Sequence, residues 1–223
     1  MSFRATLLVL LCLLGAACTD NIATFTPEKR LLKASKNGDL KDIARLLDEG
    51  ADIETRNPGD GWTPLMWCAV RDNAPGVKLL ISRGAELEAR DGKGLTALLV
   101  AGRWSKTVGA GALLDGGAKI GAVDRMGWTA LMWAAFKGQT EMATFLLDRG
   151  APVETRDADG RTPLILAAKK GHEKIVVILL ARGAAVDAVG PEGKTAAELA
   201  EKNGYDDLAK MLRSKSSLPV TGR

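Results

Sequence analysis

Few of the 223 residues have the chemistry of a reaction centre. There is one histidine, His172, and there are three cysteines, Cys12, Cys18 and Cys68. Without a second histidine, a hydrolase triad or a His-rich metal site is excluded, and the Gly171-His172 pair reads as a turn. Cys68 lies in the apolar run Leu65-Met66-Trp67-Cys68-Ala69-Val70 and suits a small core residue better than a thiolate nucleophile. Asp124, Asp157 and Asp187 recur singly in loops, as turn-forming carboxylates do, rather than as a paired acid and base. The glycines from Gly109 to Gly117 lack the Lys-Ser/Thr ending of a phosphate-cradling loop. No cofactor and no metal is expected, and the chain is not expected to be an enzyme. Recognition chemistry is better represented, because five of the ten aromatic residues are tryptophan and several stand beside Arg or Lys.

The elements that position these residues follow from a repeat. Thr63, Thr96, Thr129, Thr162 and Thr195 recur every 33 residues, each preceded two positions earlier by glycine. A Gly-Ala pair keeps the same interval at Gly84-Ala85, Gly117-Ala118, Gly150-Ala151 and Gly183-Ala184, with Gly50-Ala51 one unit earlier. Three landmarks on one period mark a stack of like units. The threonine hydroxyl caps a helix whose first turn accepts the prolines Pro64 and Pro163. Gly38, Gly138 and Gly171 turn the chain into a second helix with an apolar face, such as Ile175, Val176, Ile178, Leu179 and Leu180. The Gly of Gly-Ala then ends it. Helices this short are marginal alone, so each unit must bury its apolar side on the next, with small pairs such as Ala134-Ala135 and Ala167-Ala168 permitting close approach.

The run Gly160-Arg161-Thr162-Pro163-Leu164-Ile165-Leu166-Ala167-Ala168, followed by Gly171-His172 and Leu179-Leu180-Ala181-Arg182-Gly183-Ala184, resembles the ankyrin-repeat consensus. The resemblance implies an all-α solenoid of helix-turn-helix units joined by β-hairpin-like loops. Six repeats are expected over residues 26–213, at about 26–60, 61–93, 94–126, 127–159, 160–192 and 193–213, followed by a flexible tail at 214–223. The sequence departs from the family pattern at Ala97 and Ala130, where proline is usual. The usual histidine after the leucine is replaced by Met66, Leu99, Met132, Ile165 and Glu198. In repeat three, Gly109 and Gly111 occupy the second helix, each costing roughly 1 kcal/mol relative to alanine, and this helix is expected to be the least stable of the stack.

Ankyrin proteins generally bind other proteins with hairpin tips and first-helix ends that line a concave face. Carried over by position, that face presents Trp62, Leu95, Arg125, Met126, Trp128 and Arg161 at the tips and Arg71, Arg103, Trp104, Phe136, Lys137, Lys169 and Lys170 at the helix ends. Trp62, Trp104 and Trp128 fall on positions expected to be exposed, whereas Trp67 and Trp133 are expected to pack. The basic row implies a protein partner with an acidic patch, such as a periplasmic enzyme or a toxin. A net charge of +4, dispersed along the chain, gives no reason to expect nucleic acid.

The N-terminus carries Arg4 and then an apolar stretch from Leu7 to Ala17, shorter than the roughly 20 residues that span a bilayer. It reads as a signal peptide over residues 1–17. Leu14-Gly15-Ala16-Ala17-Cys18 resembles a bacterial lipobox with Leu14 one position early, so either Cys18 is lipidated at the head of an 18–25 linker or the chain is released after Ala17. The expected location is the periplasm, with an outer-membrane anchor at Cys18 as the one membrane contact. The alternative function is that of an envelope structural or glycan-binding lipoprotein that stacks sugars on its tryptophans.

Overall fold

The computed structural model describes residues 26–216; the segments 1–25 and 217–223, which hold the expected signal peptide, Cys18 and most of the expected tail, lie outside the described residues. Among the described residues, twelve α-helices form six consecutive pairs: α1 (Pro27–Asn37) with α2 (Leu40–Asp48), α3 (Pro64–Val70) with α4 (Ala74–Ser82), α5 (Ala97–Arg103) with α6 (Thr107–Asp115), α7 (Ala130–Lys137) with α8 (Thr140–Asp148), α9 (Pro163–Lys169) with α10 (Glu173–Ala181), and α11 (Ala196–Lys202) with α12 (Asp206–Ser216). Each first helix packs on the next first helix, α1 on α3 through α9 on α11, while the second helices form an outer layer. The hairpin-like loops are tight turns, with an isolated antiparallel bridge between Val189 and Thr195 near the last tip.

The repeated threonines cap as their spacing predicts. Thr63, Thr96, Thr129, Thr162 and Thr195 each accept a hydrogen bond from the amide three residues on, at 3.2–3.4 Å. Helices α5 and α7 start at Ala97 and Ala130 without proline, so the hydroxyl cap suffices. The continuous core runs from Leu31 to Leu212 and includes the close-packed Ala134-Ala135 and Ala167-Ala168 pairs. Helix α12 continues to Ser216, past the boundary expected at 213. Arg213 bonds Glu201 of α11, and the Ser216 hydroxyl donates to Asp187.

Helix α6 is assembled differently from its counterparts. Its N-cap Lys106 makes no side-chain bond, as is also true of Gln139 before α8 and His172 before α10. Instead Asp72, in the preceding repeat, accepts the Gly109 amide at 2.7 Å. Asp72 stands where Gly38 and Gly138 stand in other units and holds the left-handed φ of +59° itself, as Ser105 does at +56°. Gly109 owes its identity to this contact: a Cβ there would lie 2.9 Å from the Ala69 carbonyl oxygen of α3. Gly111 has room, since its Cβ would meet the Phe145 ring at 3.6 Å. On the outer layer, Arg83–Asp48, Arg149–Asp115 and Arg182–Asp148 link successive repeats at 2.7–3.0 Å. Ser82 and Gly116 occupy the equivalent positions between repeats two and three, so that rung is built without a charged pair.

Candidate functional site

The tips are built on three buried aspartates. Asp91 Oδ1 accepts the amides of Lys93 and Leu95, Asp124 Oδ1 those of Met126 and Trp128, and Asp157 Oδ1 those of Asp159 and Arg161, at 2.7–3.0 Å. The second oxygen of each accepts an indole N–H: Trp62 on Asp91 at 3.0 Å, Trp133 on Asp124 at 3.0 Å and Trp128 on Asp157 at 2.8 Å. These carboxylates therefore shape turns and orient rings, as turn chemistry suggests for Asp124 and Asp157. Asp187 lies outside the series, because Gly190 occupies its register and Asp187 is exposed.

The oriented rings join with cations into an unbroken run across five repeats. Lys36 lies 4.9 Å over the Trp67 ring, whose centroid is 4.8 Å from that of Trp62, and Trp62 meets Trp104 edge-on at 5.7 Å. Arg103 bridges to the second cluster, with its guanidinium 4.9 Å over Trp104 and 4.2 Å over Trp133. Trp133 continues to Trp128 at 4.6 Å, Trp128 to Phe136 at 5.0 Å, and Phe136 lies under Lys170 at 4.7 Å. Lys137 lies 5.8 Å over Trp104, and Arg161 lies 5.6 Å over Trp128. Each such contact contributes on the order of 0.5–1 kcal/mol at exposed sites.

Exposure divides the expected site residues. Trp104 is 38% exposed and Met126 45%. Arg71, Arg125, Lys137 and Lys170 are exposed, while Trp62, Arg103, Phe136, Arg161 and Lys169 are half-buried. Two expectations of exposure are overturned. Trp128 is 5% exposed, because its N–H reaches Asp157 and its faces meet Trp133 and Phe136. Leu95 shares its place in the repeat but has no polar atom to hold it outward, and is 2% exposed. Trp133 is buried as expected, whereas Trp67 is half-exposed beneath Lys36. Lys36 and the indole acceptors join the site from outside the expected set, although the tip tryptophans Trp62 and Trp128 each precede an aspartate by 29 residues.

Among the groups weighed for chemistry, Cys68 is fully buried with Sγ 3.9 Å from the Ser35 carbonyl, and burial pushes its thiol up to about 12, so it is protonated at neutral pH. His172 Nε2 lies 3.1 Å from the Phe136 carbonyl of the preceding repeat, a bond that ties two turns together.

The family model for ankyrin repeats in three copies matches residues 31–124, 78–157 and 149–220. The chain belongs to the ankyrin-repeat family. A crystal structure of an ankyrin repeat domain from Acinetobacter baumannii AYE superposes with a TM-score of 0.74 and 29% identity, covering 83% of this chain and 97% of that one. Ankyrin repeat domain-containing protein 40 of human is 33% identical over 67 residues, which is 30% of this chain and 18% of that protein. The human mitochondrial disaggregase is 33% identical over 79 residues, 34% of this chain and 11% of that protein. The match thus spans under a fifth of each of these curated relatives. Ankyrin repeats are in general protein–protein interaction modules, and their fold is typically non-catalytic.

Proposed function

We propose that this ankyrin protein is a non-enzymatic interaction module that binds another protein through the face formed by its hairpin tips and first-helix ends. The observation that carries this reading is the exposed section of the aromatic run: Trp104 and Met126 open to solvent, with Arg103, Arg125 and Lys137 around them. Tryptophan, methionine and arginine are the side chains enriched in the centres of protein interfaces, and here Trp104 and Arg103 are already packed against each other and against Trp62 and Trp133. The surplus of cations favours a partner with an acidic surface. Sugar stacking on Trp62 and Trp128 is the weaker alternative, since Trp128 is buried and Trp62 is half-buried against Trp67 and Trp104. The N-terminal segment supports export and a periplasmic site of action, with Cys18 as the outer-membrane anchor.

The test is a photocrosslinking amino acid placed at Met126 on the tip face and, as a control, at the exposed Val177 of α10, in intact cells. A discrete adduct from position 126 that is absent at 177 and lost with Trp104→Ala is expected. Equal adducts from both positions would contradict the reading. Fractionation of wild type and Cys18→Ser, with release from the membrane on substitution, tests the anchor.

A further inference from the structure

We propose that the recess beside the third hairpin tip is a carboxylate-binding anchor, which takes an Asp or Glu side chain of an extended acidic segment of the protein partner. This rests on the interaction reading above and names the chemistry that the partner must bring.

Two half-buried arginines lie over tryptophan rings, and they differ in one respect. Arg161, over Trp128, is neutralised by Asp157 and Asp159, both at 2.7 Å. Arg103, between Trp104 and Trp133, has no ion pair and no hydrogen-bond acceptor among the described residues, and its Nε–H is buried without a partner. The other half-buried guanidinium is satisfied within the chain; here the enclosed Nε–H is out of a ligand's reach, and it is the terminal Nη groups, which have no acceptor among the described residues, that a carboxylate from outside would bond. A planar, stacked guanidinium with free donors matches a carboxylate fork.

The surroundings fit the same ligand. Arg103 lines a recess of about 270 Å³ together with Lys93, Leu95, Arg125, Met126 and Trp133. Neither Lys93 nor Arg125 has a carboxylate within ion-pair distance among the described residues, so the recess holds three cations against the single carboxylate of Asp124. The one acid in the wall, Asp124, keeps its charge but is bonded by the N–H groups of Met126, Trp128 and Trp133, which leaves a net positive lining. Gly92, Lys93 and Leu95 separate this recess from a second of about 480 Å³, on whose far side lie Trp62 and Trp104. An extended segment that crosses the tip can set a carboxylate on Arg103 in one recess and an apolar side chain against the indoles in the other. An acidic residue flanked by apolar ones is thus the preferred sequence.

The probe is the capped peptide acetyl-Leu-Glu-Leu-Glu-Leu-amide, titrated into the isotope-labelled full chain while the Arg103 Nε–H and the Trp104 and Trp133 indole N–H signals are followed by NMR. Saturable shifts of the Arg103 signal are expected. They should be absent with the Gln-for-Glu peptide, and the affinity read from the Trp104 and Trp133 indole signals should be weakened at least fivefold by Arg103→Gln and two- to threefold by Arg125→Gln, an exposed site that leaves folding intact if the first variant does not. Equal response to the Gln peptide, an unmoved Arg103 signal, or displacement by inorganic phosphate at equal concentration would overturn the proposal, the last by showing a general anion site. The same variants in the crosslinking experiment separate the two claims. An adduct that survives Arg103→Gln but not Trp104→Ala refutes the carboxylate anchor and leaves the interaction face standing.

Discussion

Two sections of the aromatic run, one open around Trp104 and one closed around Trp128, use the same parts for opposite purposes. Around repeats four and five, Trp128 is buried, Arg161 covers it, and Asp157 and Asp159 neutralise Arg161. Around repeats two and three, Trp104 is open, Arg103 lies against it, and no carboxylate among the described residues answers the charge. The first arrangement is closed and belongs to folding. The second is held in shape by the first through the contact of Arg103 with Trp133, and it leaves its bonding capacity facing outward. Position in the repeat therefore does not decide whether a ring binds or packs. Trp62 and Trp128 share one position and both donate to an aspartate of the next repeat, yet Trp62 is half-buried and Trp128 buried; the two sections differ in whether a carboxylate pairs the cation over the ring, as Asp157 and Asp159 do for Arg161.

The strongest challenge to that contrast removes the rings. Trp128→Ala is expected to cost about 3–5 kcal/mol in urea unfolding, because it empties a core position and leaves one oxygen of Asp157 without its indole donor. Trp104→Ala is expected to cost less than about 1 kcal/mol, as partly exposed positions away from the core do. Similar losses at both would abolish the distinction. The cations come next: Arg161→Gln is expected to cost about 2–3 kcal/mol, since it leaves a buried carboxylate without its charge partner. Arg103→Gln should cost no more than about 1 kcal/mol, because the forfeited stacking on the two indoles is offset by removing a buried unpaired N–H.

A finer contrast lies within α6, beneath the open section. Gly109→Ala should destabilise by about 1–3 kcal/mol even though alanine is the better helix former, because its Cβ meets a backbone oxygen that cannot yield. Gly111→Ala, two residues on, should stabilise by about 0.5–1 kcal/mol, because its Cβ finds an ordinary contact with Phe145. If both substitutions stabilise, the close approach of α6 to α3 is not real. Amide exchange is expected to be faster in α6 than in α10, and equal protection would remove the idea that this unit is the weak one.

The smallest effect concerns acid. Hydrogen bonds from Thr195 hold the Glu198 carboxyl below its ordinary value, and the bond from Arg213 does the same for Glu201. Groups lowered in the folded state stabilise it above their unfolded pKa, and that contribution is lost as pH falls through the folded value. Glu54 runs the other way, since burial raises it and its ionisation opposes folding as pH rises. The joint variant Glu198→Gln with Glu201→Gln should therefore flatten the acid side of the stability profile, read from urea midpoints between pH 3 and pH 6.

What was legible in the sequence follows from the range of the interactions involved. The threonine caps and the 33-residue period depend on bonds within three or four residues, and they were readable directly. So was the burial of Cys68, from the apolar run around it. The fate of Trp128 depends on Asp157 in the next repeat and on Phe136 one helix away, so a frame that assigns exposure by position placed it wrongly. Leu95 failed for the complementary reason, because its position carries no polar atom for Asp124 to hold, and Trp133 takes that oxygen instead. Gly109 looked like a defect because its purpose, the approach to Ala69 and the bond to Asp72, lies in the repeat before it. Local chemistry was legible, and coupling between repeats was not.

If the open section of the run meets the partner, and the closed section and the outer helices do not, hydrogen–deuterium exchange will show it. The full chain is measured with and without the protein recovered by crosslinking at position 126. Added protection is expected at residues 92–95, 103–104 and 125–128, with residues 158–161 unchanged. Protection confined to the outer helices, as at residues 141–149 and 173–181, would contradict the assignment of the open section as the binding face.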